Sequence, residues 1–246
     1  MYVCLSRLFS RRPVASALVG VLAFGGLSLL PSDDEAAARV VASGDATLSG
    51  TARVIDGDTL EIAGHRVRLE GIDAPETGQV CARSGGSGSW RCGEAAAERL
   101  ASLVFQRTVS CENRGYDKYR RMLGICFVGD TDVNAQLVRE GLAWAFVKYS
   151  DTYVREEAQA RALRAGVWQA ETAPAWEYRE QRWAHAEQVA PEGCAIKGNI
   201  TDKGRIYHMP WGPWYGKVKI EEAKGERWFC SEAEAADAGW RPVVAQ

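Results

Sequence analysis

Asp56, Asp58, Arg68, Asp73, Glu76 and Arg121 are the side chains whose types and order suggest chemistry: four carboxylates and two guanidiniums. Hard carboxylate oxygens suit calcium or magnesium. Guanidiniums are permanently charged forks that match phosphate oxygens in pairs. Such a set can hydrolyse a phosphodiester, with a cation polarising a nonbridging oxygen, a carboxylate activating water and the arginines neutralising the charge that builds up. Each piece alone is bland. Asp56-Gly57-Asp58 is a hairpin turn, Asp73-Ala74-Pro75-Glu76 a bend or helix cap, and Tyr119-Arg120-Arg121 a solvated strand face.

Short alternating runs at 48–55, 59–62 and 66–69, separated by Asp56-Gly57-Asp58 and Ala63-Gly64, predict three strands in tight succession. Val67 and Leu69 alternate with Arg68, so Arg68 falls on the opposite face. Helical spacing follows at 94–105, strands at 107–112 and 122–128 around a polar turn at 113–119, and a helix at 133–140 stopped by Gly141. An aromatic strand through Trp144 and Phe146, a helix at 153–165 and a polar, aromatic helix at 175–188 complete this part. Five short strands with a helix after the third fit a mainly β fold with added α: a five-stranded Greek-key barrel of the oligonucleotide-binding (OB) type with three helices.

Val54-Ile55-Asp56-Gly57-Asp58-Thr59, Arg68-Leu69-Glu70-Gly71-Ile72-Asp73-Ala74-Pro75-Glu76 and Asp117-Lys118-Tyr119-Arg120-Arg121 together resemble the staphylococcal nuclease (thermonuclease) family, over about residues 48–180. The resemblance implies a Ca2+ site formed by Asp58, Asp73 and the main-chain carbonyl of Ala74. It implies Glu76 as water activator, Arg68 and Arg121 as phosphate-gripping catalytic residues, and DNA or RNA, bound through phosphate without sequence preference, as substrate. Lys118, Arg120 and Tyr149 are candidate substrate contacts, and Trp144, Phe146 and Tyr149 can stack bases or pack the barrel and its rim. Truncating either arginine is expected to damage turnover more than folding. Two departures stand out: Ala74 replaces a frequent hydroxyl residue, and Arg120 replaces the usual glycine, where it can alter the turn or compete with Arg121.

The chain has 246 residues, 46% apolar and 25% charged, which is enough for a domain with a core and a smaller companion. Its net charge of -2 excludes nucleic-acid binding by bulk positive charge and leaves locally placed arginines to do it. Arg7, Arg11 and Arg12 precede an apolar run at 14–30, followed by Asp33-Asp34-Glu35. That pattern predicts an export signal or membrane anchor over 1–40, with the rest periplasmic or secreted and possible tethering through 14–30. Six cysteines remain beyond it, and neighbouring pairs suggest disulfides Cys81 with Cys92, Cys111 with Cys126 and Cys194 with Cys230. Zinc is disfavoured because no Cys-x-x-Cys occurs.

The segment 77–90, rich in Gly and Ser beside Glu76, suggests a substrate gate or a pinned insertion. After Pro191-Glu192-Gly193 the composition shifts to Gly, Trp and Tyr, predicting a small β-rich, disulfide-stapled module over 192–243 with a helix at 231–238. It resembles a module of exported thermonuclease-like proteins, some carrying a succinoglycan-biosynthesis label, and in outline the metal-binding domain of the Ada repair protein without its cysteine set. Three functions follow as alternatives: a calcium-dependent nuclease, a silent binder of nucleic acid or anionic polymer, and an envelope factor in exopolysaccharide production.

Overall fold

The computed structural model describes residues 47–243; the expected leader and possible anchor lie outside the described residues. No helix among the described residues is long and apolar enough to cross a membrane.

Strands β1 (Thr47–Asp56), β2 (Thr59–Ile62) and β3 (His65–Leu69) form two successive hairpins. Alternation decides their faces, because Leu60, Ile62, Val67 and Leu69 are buried while Arg66 and Arg68 point the other way. The stretch expected to be a plain loop holds three two-residue strands, β4 (Ile72–Asp73), β5 (Cys81–Ala82) and β6 (Ser89–Trp90), too short to leave a periodic signal. Helix α1 (Cys92–Val104) turns Ala96, Leu100 and Val104 into the core. Strands β7 (Thr108–Tyr116) and β8 (Met122–Val128) pair antiparallel, and β7 runs through an irregularity between Asn113 and Gly115 into what the sequence marked as turn.

The ring closes in the order β3-β2-β1-β7-β8, with β8 returning parallel to β3; a short β9 (Thr131–Asp132) adds to β8. This is the expected five-stranded barrel. Helix α2 (Val133–Arg139) plugs one side, β10 (Trp144–Ala145) pairs with β4, and α3 (Val154–Ala162) packs beside α2. Asn134, fully buried, accepts from the Cys126 N–H at 3.2 Å and donates to the carbonyls of Glu70 and Gly124 at 2.9 and 3.1 Å. That one amide ties the strand bearing Arg68 to the strand that follows Arg121.

Helix α4 (Ala175–Glu187) leaves the barrel for the module, where β11 (Ile196–Thr201), β12 (Gly204–His208), β13 (Arg227–Phe229) and β14 (Arg241–Pro242) form a sheet ordered β13-β11-β12-β14. Helix α5 (Glu232–Asp237) lies within the expected 231–238. Ile196, Tyr207, Phe229 and Trp240 make the module's own core. All three neighbouring cysteine pairs are disulfides: Cys81–Cys92, Cys111–Cys126 and Cys194–Cys230.

Candidate active site

Arg68 stands at the centre of the site. Its Nη1 donates to Asp58 Oδ1 at 2.6 Å and its Nη2 to Asp73 Oδ1 at 2.7 Å, so one guanidinium bridges the first hairpin and the bend. The Ala74 N–H donates to Asp58 Oδ2 at 2.9 Å, and the Asp58 N–H to Asp56 Oδ1 at 3.1 Å. Asp58 and Asp73 are buried. Burial works against the Arg68 cation, but Asp58 and Asp73 outweigh it and hold the group charged well above its ordinary range. Removing Arg68 would leave two buried carboxylates short of a partner, so its loss is expected to cost stability as well as turnover.

Sequence reading missed Arg179, on the first turns of α4. Its Nη1 donates to Glu76 Oε1 at 2.7 Å and to Asp73 Oδ1 at 3.1 Å, and its Nη2 donates to Asp73 Oδ2 at 2.8 Å. No local motif announces it, since its partners lie about a hundred residues upstream in a different element. Gln79 was missed for the same reason. Buried at the start of the 77–90 segment, it accepts the Glu76 N–H at 3.2 Å through Oε1, and its Nε2 donates to the Ala173 carbonyl at 2.8 Å. Gly93 lets α1 sit flush behind this bend, because a Cβ there would fall 1.7 Å from the Glu76 carbonyl oxygen.

Burial pushes the Glu76 carboxyl up to about 8, against the opposing pull of Arg179. Asp56 is pushed up to about 7 by burial and by the neighbouring Asp58. Asp56, Asp58 and Glu76 line the pocket with Arg68, Arg121 and Arg179, and Arg68 and Arg179 both pair with the buried Asp73. Burial is the main cause of both raised carboxyls, and hard carboxylate oxygens grouped this closely fit a divalent cation, which would favour their ionised forms. Among the described residues no group of three His, Cys, Asp or Glu is spaced to hold a metal; a cation held by Asp58 and Asp73 would need further oxygens, such as the Ala74 carbonyl and water.

Arg121 lines the same cavity as Asp58 and Glu76, a cleft of about 820 Å³. It is presented by Asp117, whose Oδ2 accepts its Nε–H at 2.7 Å while Oδ1 accepts the N–H groups of Tyr119 and Arg121, both at 2.9 Å. Arg120 occupies the left-handed region at φ 65°, which is why a glycine suits this position. The turn survives the side chain, and Arg120 is exposed and does not line the cavity. Lys118 and Tyr149 do line the cleft, with Tyr149 70% exposed. Trp144 is core, edge-on to Trp168 and Trp176, and Phe146 stacks on Trp176 at the rim. Of the 77–90 segment only Thr77 lines the cleft, and the Cys81–Cys92 disulfide pins the rest of it.

A closed OB-type barrel with a carboxylate and guanidinium pocket beside its first hairpin is the class that fold and site define. The chain belongs to the staphylococcal nuclease homologue family, whose model matches residues 66–170. A second model, ArfC, matches 177–242, beginning inside α4. Over 125 residues the chain is 42% identical to the succinoglycan biosynthesis protein ExoI of Rhizobium meliloti (strain 1021), covering 50% of this chain and 65% of that one. It is 36% identical over 133 residues to a micrococcal nuclease of Shigella flexneri, covering 47% and 70%. With an uncharacterized endonuclease of Escherichia coli O157:H7 it shares 35% identity over 138 residues, covering 53% and 83%.

Proposed function

We propose that the chain is an exported, calcium-dependent nuclease that hydrolyses phosphodiester bonds of DNA and RNA with little sequence preference. The observation that carries this reading is the convergence of Asp58, Glu76, Arg68 and Arg121 on one cleft, with Asp73 paired to Arg68 beside it. Family membership and the printed names of two relatives support it, and the charged leader with three disulfides supports export.

Asp58, Asp73 and the Ala74 carbonyl would hold calcium, which when bound polarises a nonbridging phosphate oxygen. Arg68 spends two of its five N–H donors on Asp58 and Asp73 and keeps the others for phosphate. Glu76, poised near neutrality, takes a proton from the attacking water as its oxygen bonds to phosphorus. The bond to the leaving oxygen then breaks, with Arg121 neutralising the charge it acquires. Lys118 and Tyr149 flank the strand as a phosphate and a base contact. Contacts centred on phosphate carry no base information, so cleavage is broad.

Digestion of DNA and RNA by the purified chain, with Ca2+ or chelator and beside Arg68→Ala and Glu76→Gln, tests this. Cleavage with Ca2+ alone, lost by on the order of a thousandfold or more in both variants, is expected. Cleavage that survives chelation, or Glu76→Gln at full rate, overturns it. The 42% identity to a succinoglycan biosynthesis protein favours a second reading, an envelope factor in exopolysaccharide production. Complementation of an exopolysaccharide defect by Glu76→Gln as well as by the unaltered chain would favour that one.

A further inference from the structure

The cleft has two unlike walls. The barrel side carries Arg66, Arg68, Arg114, Lys118 and Arg121 among the carboxylates Asp56, Asp58, Glu70, Glu76 and Asp117, whereas the module residues that line the cleft, among those described, include no lysine or arginine and a single charged residue, Glu232. What the module offers instead is the loop from Met209 to Trp214, with two indoles. Trp214 is 48% exposed, and of the nine tryptophans it alone is an exposed one.

That loop is held in place from both sides. Arg182 of α4 donates through Nε to the Pro210 carbonyl at 3.3 Å, and Trp211 packs against Trp183 with ring centroids 6.2 Å apart. Gly78 lies so close that a Cβ would meet the Trp211 carbonyl oxygen at 3.0 Å. Beyond the loop, Tyr215 is buried and its hydroxyl donates to the Ala195 carbonyl at 2.6 Å. Lys217 Nζ sits 4.6 Å from the Trp214 ring centroid. An exposed indole on a fixed loop loses little freedom when a ligand stacks on it.

A duplex shows phosphate on its outside and hides its base faces in the stack. A single strand can show phosphate to one side and bare bases to the other, which is the pattern the two walls match. A cavity of about 820 Å³ also suits a nucleotide or two better than a double helix.

We propose that Trp214 of the C-terminal module is a nucleobase-stacking residue of the cleft, through which the module selects single strands over duplexes. The identity of the polymer rests on the nuclease reading of the same cleft; the stacking role rests on the asymmetry of its walls.

Fluorescence anisotropy with the full chain in chelator, where no cutting confuses the signal, tests it with three labelled DNAs: a short single strand, an abasic strand of equal length, and the matching duplex. The base-bearing strand is expected to bind about tenfold tighter than the abasic one. Trp214→Ala should erase most of that preference and Trp214→Phe retain most of it, both with unchanged circular dichroism. Equal binding of base-bearing and abasic strands, or an undiminished preference in Trp214→Ala, overturns the proposal. A chain that shows the Trp214-dependent preference yet never cleaves with Ca2+ sinks the nuclease reading alone. A chain that cleaves with Ca2+ but ignores the bases sinks the stacking role alone.

Discussion

Arg179 Nη1 donates to Glu76 Oε1 at 2.7 Å, joining two residues 103 positions apart in the chain. The same guanidinium holds both oxygens of Asp73. Its charge pulls the Glu76 carboxyl down from the level to which burial raises it. Arg179→Met should therefore raise the Glu76 carboxyl further and move the acid limb of the kcat/KM profile to higher pH. An unmoved limb would show that Glu76 does not depend on this partner.

The two arginines expected to grip phosphate should part company when truncated. Arg68 bridges two buried carboxylates, so Arg68→Ala should cost on the order of 3 kcal/mol of stability as well as activity. Arg121 makes one partly exposed pair with Asp117, so Arg121→Ala should lose turnover with stability nearly intact, within about 1 kcal/mol. Urea denaturation beside steady-state kinetics on both variants separates the two outcomes.

Without metal, the fold should weaken as the pH rises. Asp56 and Glu76 bind protons more tightly folded than unfolded, since their carboxyls lie at about 7 and about 8 against ordinary values of 3.8 and 4.5. That contribution is whole below the ordinary carboxylate range and is lost as pH rises through the raised values. Tm in chelator should fall between about pH 5 and pH 8, and calcium should flatten the slope by stabilising the ionised carboxylates. A Tm rising over that range would contradict the raised carboxyls of Asp56 and Glu76.

Arg120→Gly should stabilise the chain by up to about 1 kcal/mol, because a left-handed backbone strains any residue with a Cβ, partly offset by the freer unfolded glycine. Since Arg120 lies outside the cleft, kcat/KM should stay within about twofold. A large loss of activity would return Arg120 to the substrate path.

Local pattern carried most of the barrel. Alternation at Leu60, Ile62, Val67 and Leu69 and the turns between them sufficed for the first hairpins, and chain proximity sufficed for the three disulfides. Arg68, Glu76 and Arg121 stood out because they lie in short ordered motifs, and the structure brings all three to one cleft. Arg179 and Gln79 were not, because their partners are fixed only by tertiary packing of α4 against the bend. Nor does sequence reveal that the Met209 to Trp214 loop returns to the same cleft, since nothing in its composition specifies the surface it faces.

Helix α4 begins after the family match ends at residue 170, yet its third turn reaches the module while its second serves Glu76. Cutting the gene at the homology boundary would thus strip Glu76 of its counter-charge, leave Asp73 with Arg68 alone, and produce a catalyst unlike the parent. Activities measured on such an excised barrel would describe a protein that the intact polypeptide never contains.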